Sequence, residues 1–206
     1  MTRREDSAIR SIDKYISMAI NLPSLPFGAN TEIKLKSSAV DHTPFLGGPV
    51  QRISRLGDKW SVKIDCRKMY PSQSGPIITA LLLGLSEKVL MTVPQPGIDT
   101  SQWADGQIFG AVAGGKTIVI TGGGAAKQVG QFLSIVKNGV RYLHQVAAVA
   151  GNTLSIIPAL KVSLDGGETV EFGAPKIEGF IAGNEQSWTV GLAENLGLSF
   201  EIGEAQ

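Results

Sequence analysis

The segment from Gln131 to Leu164 restricts this chain to a β-rich fold more strongly than any other stretch. At its centre, the pair Asn138-Gly139 separates two runs in which apolar and polar residues alternate. Asn and Gly tolerate the positive φ of a type I′ turn, so the pair predicts a tight hairpin. A second turn at Gly151-Asn152 predicts a third strand, which we expect to stop at Pro158. Three such strands must bury one face, so they predict part of a small barrel or sandwich.

Over the whole chain the patterns predict about twelve short strands in two lobes, with one internal helix and one N-terminal helix. The clearest strand runs from Trp60 to Cys66, with an apolar face and a charged face. The apolar residues of 77–88 follow a helical period and predict one helix laid across a sheet. Residues 7–20 predict a short amphipathic N-terminal helix, and the irregular stretch 95–106 is the candidate boundary between the lobes.

Composition excludes several classes of protein. The 206 residues carry a net charge of +1, which argues against strong non-specific binding of nucleic acid. One cysteine cannot form an internal disulfide. No apolar run approaches the roughly eighteen residues of a membrane-spanning helix, so we expect no membrane insertion. The N-terminus lacks the apolar core of a secretory leader, so we expect synthesis and folding in a cytoplasm.

The distribution of charge is more informative than the net charge. Residues 31–68 contain eight basic and four acidic residues, whereas residues 160–206 contain two basic and eight acidic residues. The simplest interpretation is a solvated surface of uneven sign. The sharper hypothesis is that the basic patch of one copy meets the acidic patch of the next, as in a ring. The candidate interface residues are charged residues from both segments: Lys34, Lys36, Arg52, Arg55, Lys63, Glu171, Glu178 and Glu201.

One pattern matches a nucleotide-binding signature. Gly110, Gly115, Lys116 and Thr117 satisfy the phosphate-binding loop pattern G-x-x-x-x-G-K-[ST]. That chemistry needs a helix to begin at the Lys, so that backbone N–H groups face the phosphates. Here a β-branched run and three glycines follow, so we interpret the match as a hairpin. Nucleotide-dependent catalysis stays an alternative that nucleotide binding would test.

Other candidate chemistry is sparse. The histidines, His42 and His144, are far apart and have no ligand-spaced partners, and Cys66 falls on the apolar face of its strand. We therefore predict no metal, no cofactor and no catalytic activity. A carbohydrate- or receptor-binding β-barrel is the main alternative function, in which Trp103 or Trp188 would stack on a sugar.

Two parts of the sequence resemble the distal tail proteins of long-tailed bacteriophages. The first part carries Thr43-Pro-Phe-Leu-Gly47, Gln51, Gly57, Trp60 and Pro71, followed by a helix and a strand. The second part carries Gly130-Gln-Phe-Leu-Ser-Ile, Tyr142-Leu-His-Gln-Val, Ile156-Ile157-Pro158-Ala159-Leu160, Gly166-Gly167 and Val170, and Leu198-Ser-Phe-Glu-Ile202 matches the closing strand. The N-terminal helix departs from the family pattern.

The resemblance implies a structural virion protein. It implies a β-sandwich-like ring (belt) domain with one packed helix, formed by residues 29–93 and 174–206, after an N-terminal arm of residues 1–28. Residues 94–173 would form a small barrel of the oligonucleotide/oligosaccharide-binding type. Such proteins form a hexameric ring between the tail tube protein and the tail hub protein, in some cases beside receptor-binding or side-fibre proteins. The expected location is the virion tail tip, with a channel for genome passage and no sequence-specific nucleic-acid contact.

Overall fold

The computed structural model describes residues 19–25, 29–45, 47–191 and 195–205. Its fold is mainly β, with a seven-stranded sheet, a closed six-stranded barrel, a separate two-stranded sheet and one α-helix in the described ranges. The predicted mainly-β class with one packed helix and a small barrel is therefore confirmed. The predicted N-terminal helix lies almost wholly outside the described residues, and its last residue, Ile20, begins a strand.

The elements follow one another in chain order. They are β1 (Ile20–Asn21), β2 (Asn30–Lys36), β3 (Val40–His42), β4 (Gln51–Ile53), β5 (Lys59–Met69), α1 (Pro71–Leu83), β6 (Val89–Thr92), a 3-10 turn (Thr100–Gln102), β7 (Gly106–Ile108), β8 (Gly115–Gly122), β9 (Phe132–Lys137), β10 (Val140–Ala150), β11 (Thr153–Leu160), β12 (Thr169–Glu171), β13 (Lys176–Ile181), β14 (Trp188–Val190) and β15 (Leu196–Glu204).

The seven-stranded sheet, here called the sheet lobe together with α1, is assembled from both parts of the chain. Its strand order is β1-β6-β13-β15-β5-β2, and β14 pairs with β15 beside this path. The barrel lobe is an insertion between β6 and β13, which are hydrogen-bonded neighbours in the sheet. Where the chain leaves and re-enters the sheet lobe, the Val93 N–H donates to the Pro175 carbonyl at 2.8 Å. The two crossings between the lobes therefore run side by side.

Strand β5 supplies the centre of the sheet-lobe core. Trp60, Val62, Ile64 and Cys66 are all buried, which confirms the predicted alternation. Helix α1 packs Ile77, Ala80 and Leu81 against this core.

The bounds of the helix differ from the predicted range 77–88. The helix begins at Pro71, because proline fixes a helical φ and needs no N–H partner in the first turn. It ends at Leu83, and Gly84 follows as its C-cap. At Gly84 an added Cβ would collide with the side chain of Val89 and lie 2.9 Å from Ile181. The chain therefore needs glycine where the helix turns back onto the sheet.

The barrel lobe closes in the order β10-β11-β8-β7-β12-β9. The predicted hairpin is confirmed, with φ of 53° at Asn138 and 80° at Gly139 between the paired residues Lys137 and Val140. The expected stop at Pro158 is wrong, because β11 continues to Leu160. The β10 ladder ends at Ile157, and the β8 ladder skips from Ser155 to Leu160. Proline is tolerated at that interruption, since no ladder hydrogen bond needs its missing N–H.

The two lobes share apolar packing. Phe132 and Leu143 of the barrel lobe belong to the buried cluster of the sheet lobe. The rings of Phe132 and Trp60 meet edge to face, with centroids 5.2 Å apart and an interplanar angle of 78°. This arrangement is favourable for aromatic pairs, so it fixes the barrel against the sheet.

Candidate functional site

Four of the eight predicted interface residues lie on one face of the sheet. Lys34, Lys36, Lys63 and Glu201, together with Glu32, form what we call the charged sheet face. Lys63 stands between its two cross-strand partners, Glu32 on β2 and Glu201 on β15. Successive residues of a strand point to opposite faces, so the buried apolar residues of β5 and β15 lie on the other side. The sequence places these charges far apart, and the register brings them together.

The pairs within this face are weak. Lys34 and Glu32 are 3.2 Å apart, with side chains 53% and 57% exposed. The Ser61 hydroxyl donates to a Glu201 carboxylate oxygen. Exposed ion pairs contribute about 0–1 kcal/mol, because water solvates both partners. The charged sheet face can therefore exchange these internal contacts for contacts with another protein at little cost.

Arg52 and Arg55 lie apart from this face, on a projecting hairpin. Strands β3 and β4 pair only with each other among the described strands, and with Phe45, Val50, Arg55 and Leu56 they form what we call the side hairpin. Arg52 holds Asp41 through two hydrogen bonds of 2.7 and 2.8 Å. These bonds lower the pKa of the Asp41 carboxyl.

Glu171 and Glu178 are not surface residues, so their prediction as interface residues is wrong. Glu171 is 8% exposed and Glu178 is 4% exposed. Glu171 accepts hydrogen bonds from Ser134 at 2.5 Å and from Arg141 at 3.1 Å. Burial alone would raise the pKa of Glu171, but the bonds from Arg141 and Ser134 lower it below its ordinary value. These contacts lie within the chain, so the Glu171 carboxylate already has its hydrogen-bond partners and does not need one from another copy.

Glu178 and a residue that the sequence analysis did not select, Glu204, join the two lobes. Both carboxylates come from the sheet lobe and accept backbone N–H groups of barrel strand β10: Glu178 from Arg141 at 2.9 Å and Glu204 from Leu143 at 3.2 Å. Glu204 is 5% exposed and also binds Lys161 at 2.9 Å. These acceptors satisfy N–H groups that would otherwise be buried without partners. We call them the junction carboxylates.

A sequence signal for Glu204 existed. It continues the apolar alternation of Leu198, Phe200 and Ile202, so it falls on the buried face of β15. A carboxylate in the apolar phase of a strand must be hydrogen-bonded or paired. Glu178 and Glu171 carry no comparable local signal, because Arg141, which binds both, is distant in sequence.

The segment that matches the phosphate-binding loop is a hairpin, as interpreted. Gly115, Lys116 and Thr117 open strand β8, which pairs with β7 across the loop that contains Gly110. The glycines 110, 114 and 115 have φ of 76°, 135° and 104°, which explains the glycine spacing as turn geometry. Lys116 is exposed on this strand. The segment thus lacks the helix N-terminus that a phosphate would require.

Other candidate residues are structural. Trp103 is 8% exposed, so it presents no ring face to a sugar, whereas Trp188 is 41% exposed but belongs to the sheet lobe. His144 is 1% exposed, and its Nδ1 donates to the Pro158 carbonyl at 2.9 Å. Burial lowers the pKa of His144 to about 4. Burial also raises the pKa of the Cys66 thiol.

Among the described residues, no three His, Cys, Asp or Glu side chains converge as metal ligands would. Within the same ranges, no helix has the length and apolar character needed to cross a membrane. In comparisons with known proteins, no protein-family model matches the chain, and no curated protein gives a significant match.

Proposed function

We propose that this chain is a non-catalytic structural protein of a bacteriophage tail tip, a distal tail protein. Six copies form a ring that joins the tail tube to the tip hub and leaves a central channel for the genome. The sheet lobe makes the ring and the barrel lobe projects from it.

The observation that carries this proposal is the insertion of a closed barrel into an open, charged sheet. The sheet lobe has an unpaired outer edge at β2 among the described strands, and its charged face is available to a neighbour. The barrel lobe has all six strands closed on one another. An open lobe suits contacts between copies, and a closed lobe suits a projecting module.

The charges of the sheet face support contacts between like subunits. Acidic and basic residues alternate in one cross-strand row of this face, where Lys63 stands between Glu32 and Glu201. A different surface of the neighbouring copy can place charges of either sign against this face and find an opposite charge there, as a heterologous ring contact requires. The near-neutral net charge of +1 also suits a channel that DNA crosses without being held.

The junction carboxylates support the projecting role of the barrel. Two buried carboxylates and a shared aromatic contact fix the barrel against the sheet. A module held this way keeps one orientation in every copy, which a symmetric assembly requires.

The experiment that tests the proposal is negative-stain imaging combined with mass measurement of the purified chain over a range of concentrations. We expect rings with a central hole and a mass of six chains. A monomer at every concentration, or a dimer without a hole, would overturn the proposal. A monomer that binds oligosaccharide would favour the carbohydrate-binding alternative.

A further inference from the structure

Several segments of the described chain present apolar side chains that its own core does not cover, and two of them are short strand segments outside the barrel. The first is the side hairpin, whose strands are exposed along their whole length. Its exposed apolar residues are Val40, Phe45, Val50, Ile53 and Leu56, at 37%, 101%, 58%, 46% and 73% exposure. An isolated two-stranded hairpin is marginally stable in water, so an exposed apolar hairpin calls for a partner surface.

The base of the side hairpin is nevertheless held firmly. Asp58 accepts the Ser38 N–H at 2.7 Å and the Ser38 hydroxyl at 3.1 Å. The same hydroxyl lies 3.1 Å from the Arg55 carbonyl, and a Cβ added at Gly57 would lie 2.9 Å from it. The hairpin is therefore presented from a fixed base, as a preformed binding element would be.

The second segment is strand β14. It pairs with β15 on one side, and among the described strands none pairs with its other edge. Trp188 is 41% exposed and Val190 is 66% exposed. Val190 lies in one cross-strand row with Leu196 of β15 and Met69 of β5. Tyr70, the residue after Met69, is 70% exposed. This edge offers free backbone donors and acceptors beside an apolar surface, and it has the same three-residue length as β3 and β4.

The two segments lie at opposite ends of β5. The side hairpin connects Lys36 to Lys59, which are paired at one end of that strand, whereas β14 lies in the row of Met69 at the other end. Strand β5 has 11 residues, which corresponds to roughly 33 Å. A surface at one end and its counterpart at the other define a head-to-tail contact between copies.

The charges of the two segments agree with this contact. The side hairpin carries Arg52 and Arg55 against Asp41, which Arg52 already holds. Residues 183–191, which lead into and include β14, carry Glu185 and no basic residue. A neighbouring hairpin would thus bring an arginine toward a carboxylate.

We propose that the side hairpin of one copy adds to the free edge of β14 in the next copy. Main-chain hydrogen bonds extend the sheet, and the apolar residues of the hairpin pack beside Trp188 and Val190. This inference rests on the proposed self-assembly and names the segments that meet.

Disulfide trapping tests the contact directly. Gln51→Cys and Ile53→Cys are each mixed with separately purified Thr189→Cys or Val190→Cys and oxidised mildly. We expect a covalent dimer in at least one mixture and none from any variant alone, since a disulfide requires Cα atoms about 4.4–6.8 Å apart. Cys66 is 2% exposed and does not interfere. Dimers from a hairpin variant alone, or no dimers in any mixture, would overturn the proposal.

A second variant separates this contact from ring formation in general. Ile53→Lys should raise the concentration needed for half-assembly at least about tenfold, because it places a charge in an apolar contact. Phe109→Lys, at an exposed site of the barrel lobe, is the matched control and should assemble as the unmodified chain does. Normal assembly of Ile53→Lys overturns the hairpin contact while the ring stands. Absence of assembly in the unmodified chain overturns both.

Discussion

The barrel lobe and the sheet lobe treat their strand edges in opposite ways. All six barrel strands are paired on both sides, and their inward residues form a separate apolar core. The sheet lobe leaves the outer edges of β2 and β14 unpaired in the described chain, and the side hairpin projects from it. Closure makes a module self-sufficient, whereas open edges leave hydrogen-bonding groups for other chains. Association between copies is therefore expected to be a property of the sheet lobe.

The largest effect is expected where the two lobes meet. Glu204→Ala leaves the N–H groups of Leu143 and Trp60 without their carboxylate acceptor. We expect a loss of about 2–6 kcal/mol in the free energy of unfolding, because each buried N–H group left without an acceptor costs about 1–3 kcal/mol. Denaturant unfolding followed by circular dichroism measures it.

Glu201→Ala on the same strand is the control, since Glu201 lies on the charged sheet face, and it should cost below about 1 kcal/mol. Equal losses for the two variants would contradict the role of the junction carboxylates. Two separate unfolding transitions in the unmodified chain would contradict the fixed junction between the two lobes.

The next effect belongs to the closed barrel. His144 is buried and neutral, and its pKa of about 4 lies below the ordinary value of 6.5. The unfolded chain takes up a proton below pH 6.5, whereas the folded chain does so only near pH 4. The contribution of neutral His144 to the free energy of unfolding is therefore fully present above pH 6.5. It falls by roughly 3 kcal/mol between pH 6.5 and 4.

The variant His144→Asn keeps an N–H donor for the Pro158 carbonyl and should flatten this pH dependence. Unfolding is measured at several pH values between 4 and 7. His42→Asn, at the exposed histidine of the side hairpin, should leave the slope unchanged. A slope that His144→Asn does not alter would show that other groups cause the acid sensitivity.

A smaller effect concerns association through the charged sheet face. The Debye length falls from about 10 Å at 0.1 M salt to about 3 Å at 1 M, so exposed charge pairs between copies weaken. We expect the half-assembly concentration to rise with salt, and Lys63→Ser to reduce that dependence. Sedimentation at both salt concentrations measures it. An oligomer distribution that is insensitive to salt would assign the contact to apolar surfaces instead.

The smallest effect is expected at the surface of the barrel. Lys116→Ala should change stability by less than about 0.5 kcal/mol and leave assembly unchanged, because Lys116 is an exposed residue of a strand. Titration calorimetry with ATP and Mg²⁺ provides the decisive check. Saturable binding that the variant loses would restore the nucleotide-binding interpretation.

Local patterns predicted much of this fold. The alternation of Trp60 to Cys66 and the turn at Asn138-Gly139 each depend on neighbouring residues, and both are confirmed. The predicted strand end at Pro158 is wrong because the ladders of β11 with β10 and with β8 are both interrupted there. Only the pairing of the three strands reveals that interruption.

The candidate site was predicted less well than the fold. Charge counts grouped Glu171 and Glu178 with surface residues, but both are held by Arg141, which lies 30 and 37 residues away in sequence. Burial of a charge depends on such long-range partners, which composition cannot supply. The cross-strand row of Glu32, Lys63 and Glu201 likewise required the register of three strands.

The paired crossings between the lobes have a mechanical consequence. The chain passes from β6 into the barrel and returns from the barrel into β13, and these two strands lie beside each other. A pull on the barrel would be shared by both strands and would act along the β13–β15 ladder, whose hydrogen bonds run across the strands. Bonds loaded in this shear direction must break together, whereas bonds at a frayed end open one at a time. Because the chain crosses twice, a force on the barrel is transmitted to the sheet without opening its hydrogen bonds one at a time.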